Sequence, residues 1–175
     1  MPIDDERSIR INPELDQHFL SNPVRLALVV KAAGIRPTDH VVEAGAGIGT
    51  VAEYIPACER LTVIEYDRNL IPYLRKRVPR ARVIQGDALR ILPTVHCNVL
   101  LSNLPWRLTP ALVELLPRLE FRVALVAVSS IDKLALLNSS FVLEAVTVLE
   151  PDDFRPRQMV KTAVVRITRA EAPTI

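Results

Sequence analysis

Residues 40–52 constrain the fold of this chain more than any other stretch. An apolar run, His40-Val41-Val42-Glu43-Ala44, leads directly into Gly45-Ala46-Gly47-Ile48-Gly49 and then Thr50-Val51-Ala52. The run is short and bounded by a glycine turn, so it reads as a buried strand. The turn's small residues let the backbone come close to a ligand at the carboxyl edge of a sheet. Strand, glycine turn and helix in that order make the opening unit of a parallel α/β sheet. The spacing is not the Gly-x-Gly-x-x-Gly of dinucleotide sites, and no Gly-Lys-Ser/Thr follows to make a phosphate loop.

The rest of the chain alternates in the same way. Residues 22–33 predict a helix with Asn22 as N-cap and Pro23 in the first position, stopped by Gly34. Strands are expected over 40–44, 61–66, 81–85, 97–102 and 122–128, and helices over 49–55, 69–77 and 110–116. Two β-rich runs, 141–149 and 162–168, close the chain without a clear helix between them, which predicts an antiparallel hairpin at one edge. No linker interrupts the pattern, so residues 1–175 are expected to form one domain.

Composition removes several function classes. Hydrophobic residues make up 49% and charged residues 24%, which suits a packed globule rather than a disordered chain. No run of apolar residues is long enough to span a membrane, and Met1–Arg10 has no apolar signal segment, so a cytoplasmic protein with no membrane role is expected. Cys58 and Cys97 make no disulfide framework and are read as small hydrophobes. His18, His40 and His96 are scattered, so no metal site is expected. The net charge is only +2, although all but four of the 22 basic residues are arginine, the side chain suited to bidentate phosphate contact.

Acids stand at successive strand ends. Glu43 precedes the first glycine, Glu65 ends the second strand and Asp87 follows the third. Glu65 is placed to accept hydrogen bonds from ribose hydroxyls and Asp87 from an adenine amino group, so a nucleoside ligand is the better reading. Ser102-Asn103-Leu104-Pro105-Trp106 then closes the fourth strand. The amine of adenine or cytosine is a poor nucleophile because its lone pair is delocalised into the ring. Two acceptors, the Asn103 side-chain oxygen and the Leu104 carbonyl, favour a more tetrahedral nitrogen. Pro105 stiffens the turn and Trp106 offers a face for a base to stack on.

Taken together these segments resemble the ribosomal RNA adenine dimethyltransferases, a family that includes the small-subunit enzymes and the macrolide-resistance methylases. Asp16-Gln17-His18-Phe19-Leu20 resembles the N-terminal box, residues 43–49 the glycine loop, Glu65 and Asp87 the cofactor acids, and residues 103–106 the Asn-Leu/Ile-Pro-aromatic motif. Phe154-Arg155-Pro156 followed by Ala163-Val164-Val165 resembles the Phe-x-Pro…Ala-Val-Val segment. The resemblance implies a Rossmann-like S-adenosylmethionine-dependent methyltransferase with a mostly parallel seven-stranded sheet, covered by an N-terminal segment, 1–36. Gln17, Glu43, Gly45 and Gly47 would line the methionine end, Glu65 would hold the ribose and Asp87 the adenine. Phe19, Tyr66, Ala88 and Asn103 complete the implied cofactor contacts. Asn103 and the Leu104 carbonyl would hold the target amine, and Trp106 and Phe154 would sandwich the base.

The family continues into a C-terminal helical domain, whereas this sequence ends at 175, so a short form is expected. The segment Val128-Ser129-Ser130-Ile131-Asp132-Lys133 stands where the family carries a Gln-Lys-Glu stretch. These departures fall on substrate-facing parts and leave the cofactor half nearly unaltered. Arg75, Lys76, Arg77, Arg80 and Arg82 read as a solvated face, whereas Arg155, Arg157 and Lys161 flank the expected base pocket and suit phosphate. The leading expectation is an enzyme acting on adenine N6 in ribosomal RNA or a ribosomal subunit precursor, with a partner protein or self-association in place of the further domain. Cytosine N4 methylation, a non-catalytic assembly factor of the same fold and a small-molecule methyltransferase are the alternatives.

Overall fold

The computed structural model describes residues 9–170, so the opening of the expected covering segment lies outside the described residues. A 3-10 turn at Pro13–Leu15 leads into β1 (Phe19–Leu20) and α1 (Pro23–Ala32). Then follow β2 (His40–Ala44), α2 (Thr50–Tyr54), β3 (Arg60–Glu65), α3 (Ile71–Arg77), β4 (Arg82–Gln85) and α4 (Ala88–Ile91). The second half holds β5 (Val99–Ser102), α5 (Thr109–Leu115), β6 (Val123–Val128), β7 (Phe141–Leu149), β8 (Phe154–Arg155) and β9 (Thr162–Arg169).

Local chemistry sets these boundaries. The Asn22 side chain accepts from the N–H groups of Val24 (3.0 Å) and Arg25 (3.4 Å), and Pro23 begins α1 as the sequence predicts. Helix α3 starts two residues later than predicted. Asp67 Oδ1 accepts from Asn69 N–H (2.9 Å), and its carbonyl accepts from Leu70 N–H (3.0 Å), so residues 67–70 form a turn. Strand β5 starts at Val99 rather than 97. Asn98 ahead of it exchanges hydrogen bonds with the His40 backbone, at 2.8 Å through its N–H and 2.7 Å through its side-chain oxygen.

Seven strands form one sheet in the order β4-β3-β2-β5-β6-β9-β7, with β4 through β6 parallel and β9 antiparallel to both of its neighbours. The last two long strands pair as the sequence predicts, and the later one, β9, takes the inner position. The parallel strands are buried on both faces. Val41, Val63, Val99, Leu101 and Leu125 pack with α1 on one side, while Val42, Ile64, Leu100, Ala124 and Val126 pack with α5 on the other. That is why these strands read as continuous apolar runs rather than alternating ones. Among the described residues no helix is long and apolar enough to cross a membrane.

A second, two-stranded sheet was not expected. β1 pairs antiparallel with β8, with Phe19 opposite Arg155 and Leu20 opposite Phe154. It brings the N-terminal box against the Phe-Arg-Pro segment, more than 130 residues later in the chain. Asp153 fastens the same junction. Its carbonyl accepts from Ser21 N–H (2.8 Å) and its carboxylate from Asn22 Nδ2 (2.6 Å) and Glu150 N–H (2.8 Å). Cys58 and Cys97 are free thiols, and burial pushes Cys97 up to about 12, so it behaves as an inert hydrophobe.

Candidate active site

Strands β2, β3 and β4 run outward in one direction and β5 and β6 in the other, so the reversal falls between β2 and β5. Ligands of open α/β sheets bind at the carboxyl ends of the strands at such a reversal. A cavity of about 340 Å³ opens there. Its walls include Gln17, Phe19, Glu43, Gly45, Gly47, Glu65, Tyr66, Asp87, Ala88, Asn103, Leu104, Pro105 and Trp106. Phe154 is the exception among the residues chosen from the sequence. It is 2% exposed, belongs to the core cluster that holds Leu20, and does not line the cavity. A ring this buried presents no open face to the cavity, so the expected place of Phe154 against a base is not what the described structure shows, whereas Trp106 lines the cavity.

The glycine loop serves the protein's own packing as well as any ligand. Gly45 and Gly47 have φ of 76° and 56°, and a Cβ on Gly47 would sit 2.6 Å from the Phe19 ring. A Cβ on Gly45 would sit 2.8 Å from the Leu104 side chain. The loop is therefore closed over by the N-terminal box on one side and by the Asn-Leu-Pro-Trp turn on the other. Glu65 pins it from below: its carboxylate accepts from Gly47 N–H and from Asp67 N–H, each at 2.7 Å. Glu65 also lines the cavity.

Glu43 is 3% exposed and its Oε2 has no hydrogen-bond partner among the described residues. Burial holds its carboxyl well above the usual range, the nearby Glu65 charge adds to this, and the Ala52 amide offsets part of it. Glu65 is raised too, first by burial. A group raised in the folded state stabilises the fold below its unfolded pKa, and that contribution disappears as pH climbs through the folded value. In the protein without ligand, Glu43→Gln is thus expected to match wild type at about pH 4 and to become the more stable form as pH rises. Thermal midpoints across pH check this, and parallel curves would contradict it.

Asp87 caps α4, accepting from Leu89 N–H (2.9 Å), and lines the cavity beyond β4. Asn103 Nδ2 donates to the His18 carbonyl (3.4 Å), which leaves Oδ1 as the acceptor of that side chain. The Leu104 carbonyl accepts no hydrogen bond from the described residues. Trp106 opens the 3-10 turn Trp106–Leu108 on the same wall.

Several residues here carried no strong sequence signal. Asp67 is buried and accepts from Gln17 Nε2 (2.8 Å), tying the N-terminal box to the end of β3. The signal for it was slight, an acid two residues past Glu65. His18 bridges the Asn103 side chain to the Pro156 carbonyl, 2.9 Å from its Nδ1. Gln158 reaches the cavity only through the folding of the β8 segment beside β1, which no local pattern announces.

A mostly parallel sheet with an antiparallel edge, a glycine turn at the strand reversal and acids at the neighbouring strand ends define a Rossmann-like, S-adenosylmethionine-dependent methyltransferase fold. A dimethyladenosine transferase from Plasmodium falciparum shares it, with a TM-score of 0.76 at 21% identity, covering 87% of this chain and 63% of that one. Residues 8–174 match the family described as ribosomal RNA adenine dimethylase, and the chain belongs to that family. Ribosomal RNA small subunit methyltransferase A of Methylibium petroleiphilum is 30% identical over 181 residues, 90% of this chain and 70% of that protein. Its counterpart in Chlorobium chlorochromatii is 36% identical over 119 residues, 63% of this chain and 45% of that protein. The chain thus spans 45% to 70% of the length of these two relatives.

Proposed function

We propose that the protein transfers a methyl group from S-adenosylmethionine to an exocyclic amine in ribosomal RNA, with adenine N6 as the target. One observation carries this reading: the Asn103 acceptor, the Leu104 carbonyl and the Trp106 ring share a cavity with the glycine loop and its acids. The bound cofactor supplies an electrophilic methyl carried on a sulfonium. The residues fit that group. Glu43 offers a buried acceptor without a protein partner for an ammonium, Glu65 and Asp87 offer acceptors for a ribose and an adenine amine, and the cavity lies within the roughly 300–1,000 Å³ of small-molecule sites.

Asn103 and the Leu104 carbonyl accept the two hydrogens of the target amine and so turn its lone pair out of the ring plane. Trp106 holds the base by stacking, worth on the order of 1–3 kcal/mol. The cofactor would supply the methyl group, and the chain's own part is to hold the amine and stack the base, so catalysis rests on positioning and electrostatics. A singly methylated amine keeps one N–H, which allows a second round. Arg155, Arg157 and Lys161 are exposed beside β8, where Arg157 pairs with Asp152 (2.6 Å) and Lys161 with Glu150 (2.9 Å). Exposed pairs of this kind contribute little, and RNA phosphates can replace the carboxylates.

The test is transfer of tritiated methyl from S-adenosylmethionine to total RNA lacking the modification. Labelled ribosomal RNA, falling off as salt rises, is the expected result. Label confined to small metabolites, or no label at all from folded protein, would overturn the reading.

A further inference from the structure

Gln158 is the polar side chain of this cavity that the motifs leave without a task. It is 5% exposed, yet it lines the cavity. Its backbone N–H donates to the Pro151 carbonyl (3.1 Å), and its Oε1 accepts from the hydroxyl of Thr162 (2.7 Å), a fully buried residue at the start of β9. The residue is therefore anchored through its backbone and through the oxygen of its carboxamide. Its amide nitrogen makes no hydrogen bond to any described residue and is not among the fully buried polar atoms, so it stays accessible at the cavity that the residue lines. A ligand in the cavity is the partner the geometry leaves for it.

The connection to Asn103 runs through His18, which contacts the Pro156 carbonyl with its ring and the Asn103 amide with its own carbonyl. Gln158 follows Pro156 by two residues. The two carboxamides are thus fixed in opposite senses, Asn103 with its nitrogen engaged and its oxygen free, Gln158 with its oxygen engaged and its nitrogen free. Together they present an acceptor and a donor to one cavity. Adenine offers the complement along its Watson–Crick edge, an amine donor at N6 beside a ring acceptor at N1; cytosine offers the same pair at N4 and N3. Guanine and uracil reverse it, with a carbonyl beside a ring N–H.

We propose that Gln158 is a specificity residue that donates a hydrogen bond to the ring nitrogen adjacent to the reacting amine, so that the site admits amino bases and rejects guanine and uracil. This rests on the methyltransferase reading above. A flipped base is read along this edge by other nucleobase enzymes, so the contact costs the fold nothing new.

The experiment uses a synthetic RNA carrying the labelled ribosomal segment, with adenosine or 1-deazaadenosine at the target. The deaza base keeps the amine and replaces N1 by C–H. For a cytosine target, 3-deazacytidine takes its place. The deaza substitution is expected to lower wild-type kcat/KM about ten-fold or more. Gln158→Ala, and Gln158→Met with nearly the same volume, are expected to lose a similar factor on the natural RNA. Both should then be indifferent to the deaza substitution, with calorimetric cofactor affinity unchanged. The proposal is overturned if the deaza penalty persists in full in both variants, if wild type shows none, or if both variants lose cofactor binding. Wild-type protein that methylates no RNA overturns the underlying reading instead, and the two failures are told apart by that control.

Discussion

Asn103→Ala is expected to lower methyl transfer by about 10²–10³-fold while cofactor affinity stays at the wild-type level, the size of effect found when one preorganised polar group is removed from a reacting centre. The reason lies in the division of labour within the side chain. Its nitrogen is spent on the His18 carbonyl at 3.4 Å, which orients its oxygen, and under the proposed function that oxygen is the acceptor for the target amine. Alanine removes that acceptor and leaves in place the Leu104 carbonyl, the second acceptor of the proposed function. Single-turnover rates with calorimetric cofactor affinities measure the two effects separately. Transfer at the wild-type rate would remove Asn103 from the chemistry. A matched loss of cofactor affinity would give it a binding role instead.

Asp153→Ala is expected to destabilise the fold by about 3 kcal/mol, as read from urea unfolding midpoints. The carboxylate is buried and answers two donors, Asn22 Nδ2 and Glu150 N–H, besides an ion pair at 3.5 Å with the partly exposed Arg25. The ion pair is discounted because Arg25 remains in contact with water. Most of the cost comes from the two hydrogen bonds and from the loosening of Asn22, which caps α1. Asp153→Asn keeps one acceptor and should lose less. A midpoint within about 0.5 kcal/mol of wild type for the alanine variant would show that the junction holds by its backbone bonds alone.

The sequence announces the strand, the turn and the acids because those features are local. Val41 and Val42 face opposite sides of the sheet and are both apolar, so β2 is visible without any partner. The place of β9 between β6 and β7 is a matter of long-range pairing and leaves no local mark. β1 and β8 are two residues each, too short for any alternation to register, and it is their pairing that shapes the site. Phe154 shows the limit from the other side. The family resemblance of its motif leads one to expect it near a base, but position along the chain does not say which way the ring turns, and here it turns inward. Gln158 is the converse, a polar residue in an arginine-rich loop whose value depends on Thr162 taking one end of its amide.

The pairing of β1 with β8 also bears on how the protein comes into being. Residues 15–20 and residue 158 both line the pocket, and the pairing of β1 with β8 joins the two segments. A chain emerging from the ribosome has the glycine turn and both strand-end acids long before it has the segment that closes over them. The pocket described here, with Gln158 in its wall, is complete only once the chain has been synthesised through β8 and residue 158.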